Sequence, residues 1–404
     1  MIFSFRQIFG LKKRHLRFSW PEKHAVLYYD SDKDRGQLLG IGLDEKNMFR
    51  FGLESDLWVF NLIFAFLANL VVCKLSSTSL KDSYVKSVIA TVRPKLMFSV
   101  TDNDKRFWSL KKTFPKTKTV LLQNGLRGLT DVISTKTSNN YRTADLSVDF
   151  LGVMSPIESH WYRENGLNIS QLLVCGSIKN NSVPNMIGRE NFSKNKKIVY
   201  LLQFKDFDFE SGKAVETSYQ NLTNQEANIS YDELYEINIP IIESISQFCL
   251  KFGYELSVLG RAKNPHMRLR EESFLRKHLN PSKYKYICDF SDRGVYTELQ
   301  KYELIVALSS TLAHEMLARG QKVYFIGARQ KIFGKSEVFA YGRYGDEGVF
   351  WGNGINEKQL SQKLSNLLDL GYPAFENLLD QYRDSLIKFG KGNAEVKSLF
   401  HQFI

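Results

Sequence analysis

Residues 301–327, KYELIVALSSTLAHEMLARGQKVYFIG, constrain the fold more than any other part of this chain. An apolar run over 304–308 stops at Ser309-Ser310-Thr311. A helical pattern then continues to Gly320, and a second apolar run opens at Val323. Strand, hydroxyl-lined turn, helix and strand make the repeating unit of a parallel sheet with helices on its faces. In such sheets ligands bind beyond the carboxyl ends of the strands, where helix N-termini aim N–H groups at anions. Ser309, Ser310 and Thr311 thus offer three hydroxyls to a phosphate, with Glu315 about one turn into the helix. A structural explanation competes with this one. Ser and Thr cap helices whatever their function, and Glu315 with Arg319 has the i, i+4 order of a stabilising exposed pair. No Glu or Gln stands three residues after Ser309, Ser310 or Thr311, so a capping box does not explain Glu315.

The same alternation runs along the chain. Residues 25–29, 71–75, 96–100, 120–122, 149–153 and 172–175 read as strands, with helices over 80–92 (ended by Pro94) and before Pro115. The apolar segment 57–72 is shorter than the roughly 20 residues of a membrane span, and reads as a buried helix running into the strand. A polar stretch over 180–197, with Pro184 and Gly188, reads as a linker. Strands then recur at 198–203, 255–259 and 286–288, with a polar insertion at 211–232. Helices are expected over 239–252, 274–278, 357–370 and 375–389. The expected fold is therefore α/β, with two Rossmann-like domains over 1–190 and 191–404 and a ligand cleft between them.

Composition narrows the class further. A hydrophobic content of 43% with 24% charged residues is that of a folded globular protein. Cys73, Cys175, Cys249 and Cys288 are scattered through apolar runs, without metal-ligand or disulfide spacing, which points to a reducing cytoplasm. The formal charge of +12 suits an anionic partner. Its densest cluster, Lys12, Lys13, Arg14, His15 and Arg17, follows Ile2, Phe3, Phe5, Ile8 and Phe9, as in a segment lying on anionic lipid. A frayed basic terminus has the same composition.

Three acidic triplets occur: Asp30-Ser31-Asp32, Asp102-Asn103-Asp104 and Asp206-Phe207-Asp208. The middle one follows a strand, where Asp102 or Asp104 would act as base or nucleophile, or grip a metal. Asp-Asn clusters are also ordinary turn formers. Gln123-Asn124-Gly125-Leu126-Arg127 follows another strand, and Gln123, Asn124 and Arg127 suit a hydroxylated or anionic substrate. Gly260, Arg261 and Lys263 follow the strand at 255–259, on the same edge as the serine turn. His314 reads as structural. The chain lacks the phosphate-loop, dinucleotide, zinc-protease and nucleophile-elbow signatures.

The element Ser309-Ser310-Thr311-x-x-x-Glu315-x-x-x-Arg319-Gly320 resembles the S-S-T-x-x-x-E-x-x-x-R-G element of bacterial surface-polysaccharide glycosyltransferases of the GT-B fold. With Asp102 to Phe107, Gln123 to Arg127 and Phe350-Trp351, the chain is similar to a family of O-antigen and surface-carbohydrate biosynthesis proteins. A weaker likeness is to transferases that use CMP-activated Kdo, which often carry E-D-G where this chain has Gln123-Asn124-Gly125.

The resemblance implies that the C-terminal domain binds the donor nucleotide, through Ser309, Ser310 and Thr311 at the phosphates and Glu315 at the ribose. It implies an acceptor site on the N-terminal domain, with Asp102 and Asp104 as catalytic candidates. The expected reaction moves a sugar from a nucleotide sugar to a glycan or lipid-linked acceptor at the inner face of the plasma membrane. No cofactor or metal is expected, since cations and helix N-termini can offset the leaving phosphate. The rivals are a metal-dependent GT-A transferase, a CDP-alditol phosphotransferase and a non-catalytic basic nucleic-acid-binding protein. No recognised nucleic-acid module favours the last, so no nucleic-acid partner is expected.

Overall fold

The computed structural model describes residues 15–29, 38–43, 45–52, 56–72, 79–129, 132–133, 143–184, 195–202, 217–220, 226–229, 236–261, 265–288, 294–308, 310–328, 343–353 and 356–402. The chain divides into two units, 1–182 with 390–404 and 183–389.

The first unit contains strands β1 (His15–Arg17), β2 (Val26–Tyr29), β3 (Met48–Phe51), β4 (Asp56–Trp58), β5 (Leu96–Ser99), β6 (Lys118–Leu122), β7 (Ser147–Val153) and β8 (Asn168–Val174). Six of them form a parallel sheet in the order β3-β2-β5-β6-β7-β8, while β1 and β4 pair in parallel beside it in sequence. The period-two alternation of strand side chains explains why the central strands are apolar throughout. Leu27, Tyr29, Met97 and Leu121 enter one core; Val26, Tyr28, Leu96, Phe98, Val120 and Leu122 enter the core on the opposite face. The longer helices between these strands are α1 (Val59–Val72), α2 (Leu80–Val92), α3 (Lys105–Thr113) and α4 (Pro156–Glu164), with single helical turns at Leu38–Ile41 and Ile178–Asn181. Ser79 caps α2 by accepting from Asp82 N at 3.1 Å, and Arg93 ends it in the left-handed region at φ 53°.

The second unit repeats the scheme with β9 (Lys197–Leu201), β12 (Glu255–Leu259), β13 (Lys285–Ile287), β14 (Leu304–Ala307), β15 (Val323–Gly327) and β16 (Trp351–Asn353). Their order is β13-β12-β9-β14-β15-β16, again all parallel. Its helices are α5 (Asn238–Phe252), α6 (Pro265–His278), α7 (Gly294–Leu299), α8 (Thr311–Ala318), α9 (Glu357–Asp369) and α10 (Tyr372–Asp380). The expected polar insertion at 211–232 contains an antiparallel pair, β10 (Thr217–Gln220) and β11 (Glu226–Ile229).

Three expectations are corrected. Residues 71 and 72 are helical, because α1 continues to Val72; a short apolar run does not by itself separate helix from strand. The helix expected over 375–389 ends at Asp380 and gives way to a tight turn at Arg383–Ser385. The second domain does not extend to residue 404: a further helix, α11 (Ala394–His401), belongs to the first unit. Val396, Leu399 and Phe400 form one helical stripe that closes the core containing Tyr28 and Phe98. Phe400 meets Phe98 edge to face at 5.1 Å, and Asn393 Nδ2 donates to the carbonyls of Gly40 and Ile178 at 3.1 and 2.9 Å.

Candidate active site

In the first unit the sequence candidates gather at the carboxyl ends of β5, β6 and β7. Asp102, only 2% exposed, follows β5. Arg127 grips its carboxylate with two bonds, Nε at 2.8 Å and Nη2 at 2.5 Å, and Nη2 also donates to Asn124 Oδ1 at 2.9 Å. The Asp102 carbonyl accepts from the Trp108 indole at 2.7 Å, which ties the turn to α3. Two-point pairing fixes the guanidinium plane, so Arg127 is a preorganised donor beside the exposed Asn124. Gln123 is placed differently: it is buried, with Oε1 accepting from Met154 N at 2.7 Å, and it braces the end of β7.

Asp104 points elsewhere. It caps α3 by accepting from Arg106 N at 2.9 Å, and its other oxygen accepts from Tyr29 OH at 3.1 Å. Burial, then the neighbouring Asp104 charge, raises the Tyr29 pKa well above its usual value and keeps this hydroxyl a donor. The two aspartates of the triplet therefore serve separate hydrogen-bond networks.

Glu158 is a member of the cluster not singled out from the sequence. It is fully buried at the first turn of α4, and Oε1 accepts from Arg127 N at 2.6 Å. Oε2 accepts from Ser155 N, Ser155 Oγ and Met154 N at 2.8, 3.0 and 3.1 Å. Burial raises its pKa to about 7, with those hydrogen bonds opposing and Asp102 adding to the rise. Burial and Asp102 also push Tyr162, which neighbours Gln123 at 3.5 Å, far above the usual tyrosine range. The spacing Ser155-Pro156-Ile157-Glu158 is a legible helix-start signal that would have pointed to Glu158.

In the second unit, β14 leads into α8. Ser310 is the N-cap residue, yet its side chain makes no capping hydrogen bond. Glu315 lies one turn on, and its Oε2 accepts from Tyr296 OH of α7 at 2.8 Å. The exposed Glu315–Arg319 pair does not describe this helix, because both residues are buried, at 5% and 3% exposure. Arg319 donates to the Val183 and Pro184 carbonyls and stacks over Phe389 at 4.7 Å. Burial lowers its pKa to about 10. His314 stacks on Phe325 at 4.3 Å, and burial lowers its pKa to about 3, so it is a neutral core residue.

Gly260 and Arg261 follow β12. Arg261 N donates to both oxygens of buried Glu271 at 3.1 Å, and Tyr286 OH donates to Glu271 Oε2 at 2.6 Å. A Cβ at position 260 would collide with the Tyr286 hydroxyl and the Glu271 carboxylate, which is why the turn needs glycine. The Arg261 side chain is exposed. Ser309, Lys263 and the triplets at 30–32 and 206–208 lie outside the described residues.

No curated protein sequence matches the chain. Among solved structures, a "putative UDP-N-acetylglucosamine 2-epimerase" from Listeria monocytogenes superposes with a TM-score of 0.52 at 14% identity, covering 95% of this chain and 98% of its own. The UDP-GlcNAc 2-epimerase of Methanocaldococcus jannaschii, solved with UDP-GlcNAc and UDP, gives 0.51 at 12% identity over 94% and 99%. These likenesses establish the fold, two Rossmann-like units of the GT-B type. Residues 120–404 match the family described as "putative O-antigen biosynthesis protein", a span that holds Arg127, Glu158 and the whole second unit, and the chain belongs to that family.

Proposed function

We propose that this protein transfers a sugar from a nucleotide donor to a surface glycan or its lipid-linked precursor, with the donor on the second unit and the acceptor on the first. The observation that carries the reading is the start of α8, where an N-cap serine is not spent on capping and a buried glutamate is oriented by a tyrosine hydroxyl. Ser309, Ser310 and Thr311 would receive the donor phosphates, aided by the helix N-terminus, and Glu315 the ribose hydroxyls. Gly260 and Arg261 follow β12, which β9 separates from β14, so they lie two strand spacings away, roughly 10 Å. Arg261 and Lys263 would meet the diphosphate.

On the first unit, Arg127 and Asn124 would hold the acceptor, with Gln123 bracing the strand end behind them. Asp102 is then a positioning residue for Arg127. Asp104, held in its separate network by Arg106 N and the Tyr29 hydroxyl, would have to reach the acceptor hydroxyl from the start of α3 to serve as its base. No step calls for a metal. Two donors fit the reading. A uridine diphosphate sugar is favoured by what the Methanocaldococcus structure contains. A CMP-activated ulosonic acid such as Kdo follows from the weaker sequence likeness, in which Gln123 and Asn124 replace the carboxylates.

A thermal-shift screen of nucleotides and nucleotide sugars identifies the donor, since a ligand of the folded state raises Tm. Calorimetry on Glu315→Gln then tests the site. Loss of a charge-assisted bond to ribose should weaken binding about tenfold or more, and an unchanged Kd removes Glu315 from the donor site. The second reading is a nucleotide-sugar epimerase, favoured by the fold likeness. Incubation with the donor alone separates the two: an epimerised nucleotide sugar without any acceptor identifies the epimerase.

A further inference from the structure

Helix α1, VFNLIFAFLANLVV, carries no charged residue. Inward it buries Asn61, Leu62 and Ala65, and Asn61 Nδ2 donates to Ser87 Oγ and Thr91 Oγ1 of α2 at 3.0 Å each. Outward it presents Phe60, Ile63, Phe64, Phe66 and Leu67, with Ile63, Phe64 and Leu67 between 51% and 59% exposed. Every exposed position described on this helix is apolar, the reverse of an ordinary surface helix. Trp20, itself half exposed, packs on Phe60 at 5.7 Å, and Leu16 and Phe18 are exposed on the same segment. Scattered apolar residues on a surface are normal, whereas a gathered face marks an interaction site.

Charge identifies the occupant. Exposed Arg17 stands between Leu16 and Phe18, Lys12, Lys13 and Arg14 immediately precede β1, and the whole chain carries +12. We propose that the outward face of α1, with the Leu16–Trp20 segment, docks in the plane of an anionic lipid surface. A self-complementary contact between two copies would set these cations and the two net charges against each other. An anionic bilayer offers apolar depth and opposite charge together. Aromatic side chains at the edge of an apolar face suit the headgroup level. The helix lies along the surface and does not cross it: its 14 residues span about 21 Å, against roughly 30 Å of hydrocarbon. Among the described residues no helix is long and apolar enough to cross a membrane. The inference deepens the proposed function, because it rests on a lipid-linked acceptor and names where the enzyme meets the lipid.

The test is flotation of the full chain with vesicles of equal parts phosphatidylcholine and phosphatidylglycerol, beside vesicles of phosphatidylcholine alone. The double variant Phe64→Gln, Leu67→Gln changes exposed positions only, and circular dichroism and Tm should match the parent. The parent should float with the anionic vesicles, and the variant should partition about tenfold or more weakly. Equal flotation of the two, or no flotation of the parent, overturns the proposal. A dimer in sedimentation equilibrium that the variant dissociates overturns it in favour of a second copy. Nucleotide-sugar affinity, measured on both proteins, keeps the two readings apart. A variant that loses vesicle binding at unchanged affinity supports docking. A parent that binds vesicles as described but no nucleotide supports docking while removing the transferase reading.

Discussion

At Glu158 two opposing effects meet: burial disfavours the charge, and four donors favour it. Burial prevails, and the folded pKa of about 7 lies above the ordinary value of 4.5. An acid raised on folding contributes stability fully below its unfolded pKa and loses it as pH rises through the folded one. The first unit should therefore lose stability between about pH 4.5 and pH 7 on account of this residue. Glu158→Gln cannot titrate, so the slope of Tm against pH over that window should flatten, while Tm itself falls because an amide turns a donor toward donors. Parallel slopes for the two proteins would show Glu158 to be ionised throughout. His314 carries the opposite sign in the second unit. Its folded pKa of about 3 lies below the usual 6.5, so its contribution is lost as pH falls between those values.

At the scale of elements, α3 poses a question that two substitutions answer. Asp104 both caps the helix and, in the proposed function, acts as base. Asn caps about as well as Asp and its amide can still pair with the Tyr29 hydroxyl, so Asp104→Asn should cost less than about 1 kcal/mol, whereas Asp104→Ala loses the cap and leaves the buried Tyr29 hydroxyl unpaired, and should cost roughly 2–4 kcal/mol. Turnover should collapse in both. An Asn variant with normal turnover would leave Asp104 as a cap alone. The elements also show where sequence is readable. The α2 boundaries follow from a capping Ser79 and from Pro94 just beyond, and β12 is bracketed by Gly253 and Gly260. Apolar pattern made α1 visible as a helix but implied burial for it, because hydrophobicity records what a face prefers and not whether anything covers it. The site was legible as single residues after strands. The pairing of Asp102 with Arg127, and of Glu271 with the turn after β12, joins positions far apart in sequence that no local period relates.

For the molecule as a whole, the return of 390–404 to the first unit is the feature with the widest reach. Phe400 is 1% exposed and fills the core that Phe98 and Tyr28 share, themselves stacked at 4.6 Å. Phe400→Ala should cost roughly 3–5 kcal/mol. Because the residue lies in the first unit, denaturant unfolding should show the loss in that unit, leaving the transition of the second in place. A uniform shift of both transitions would mean that the units unfold as one. On the ribosome the same arrangement inverts the order of encoding. The second unit has its last strand by Asn353 and its α10 helix by Asp380, so both are translated before α11. The first unit, whose strands are all translated before those of the second, waits for α11, and until then the core around Tyr28 and Phe98 lacks Val396, Leu399 and Phe400.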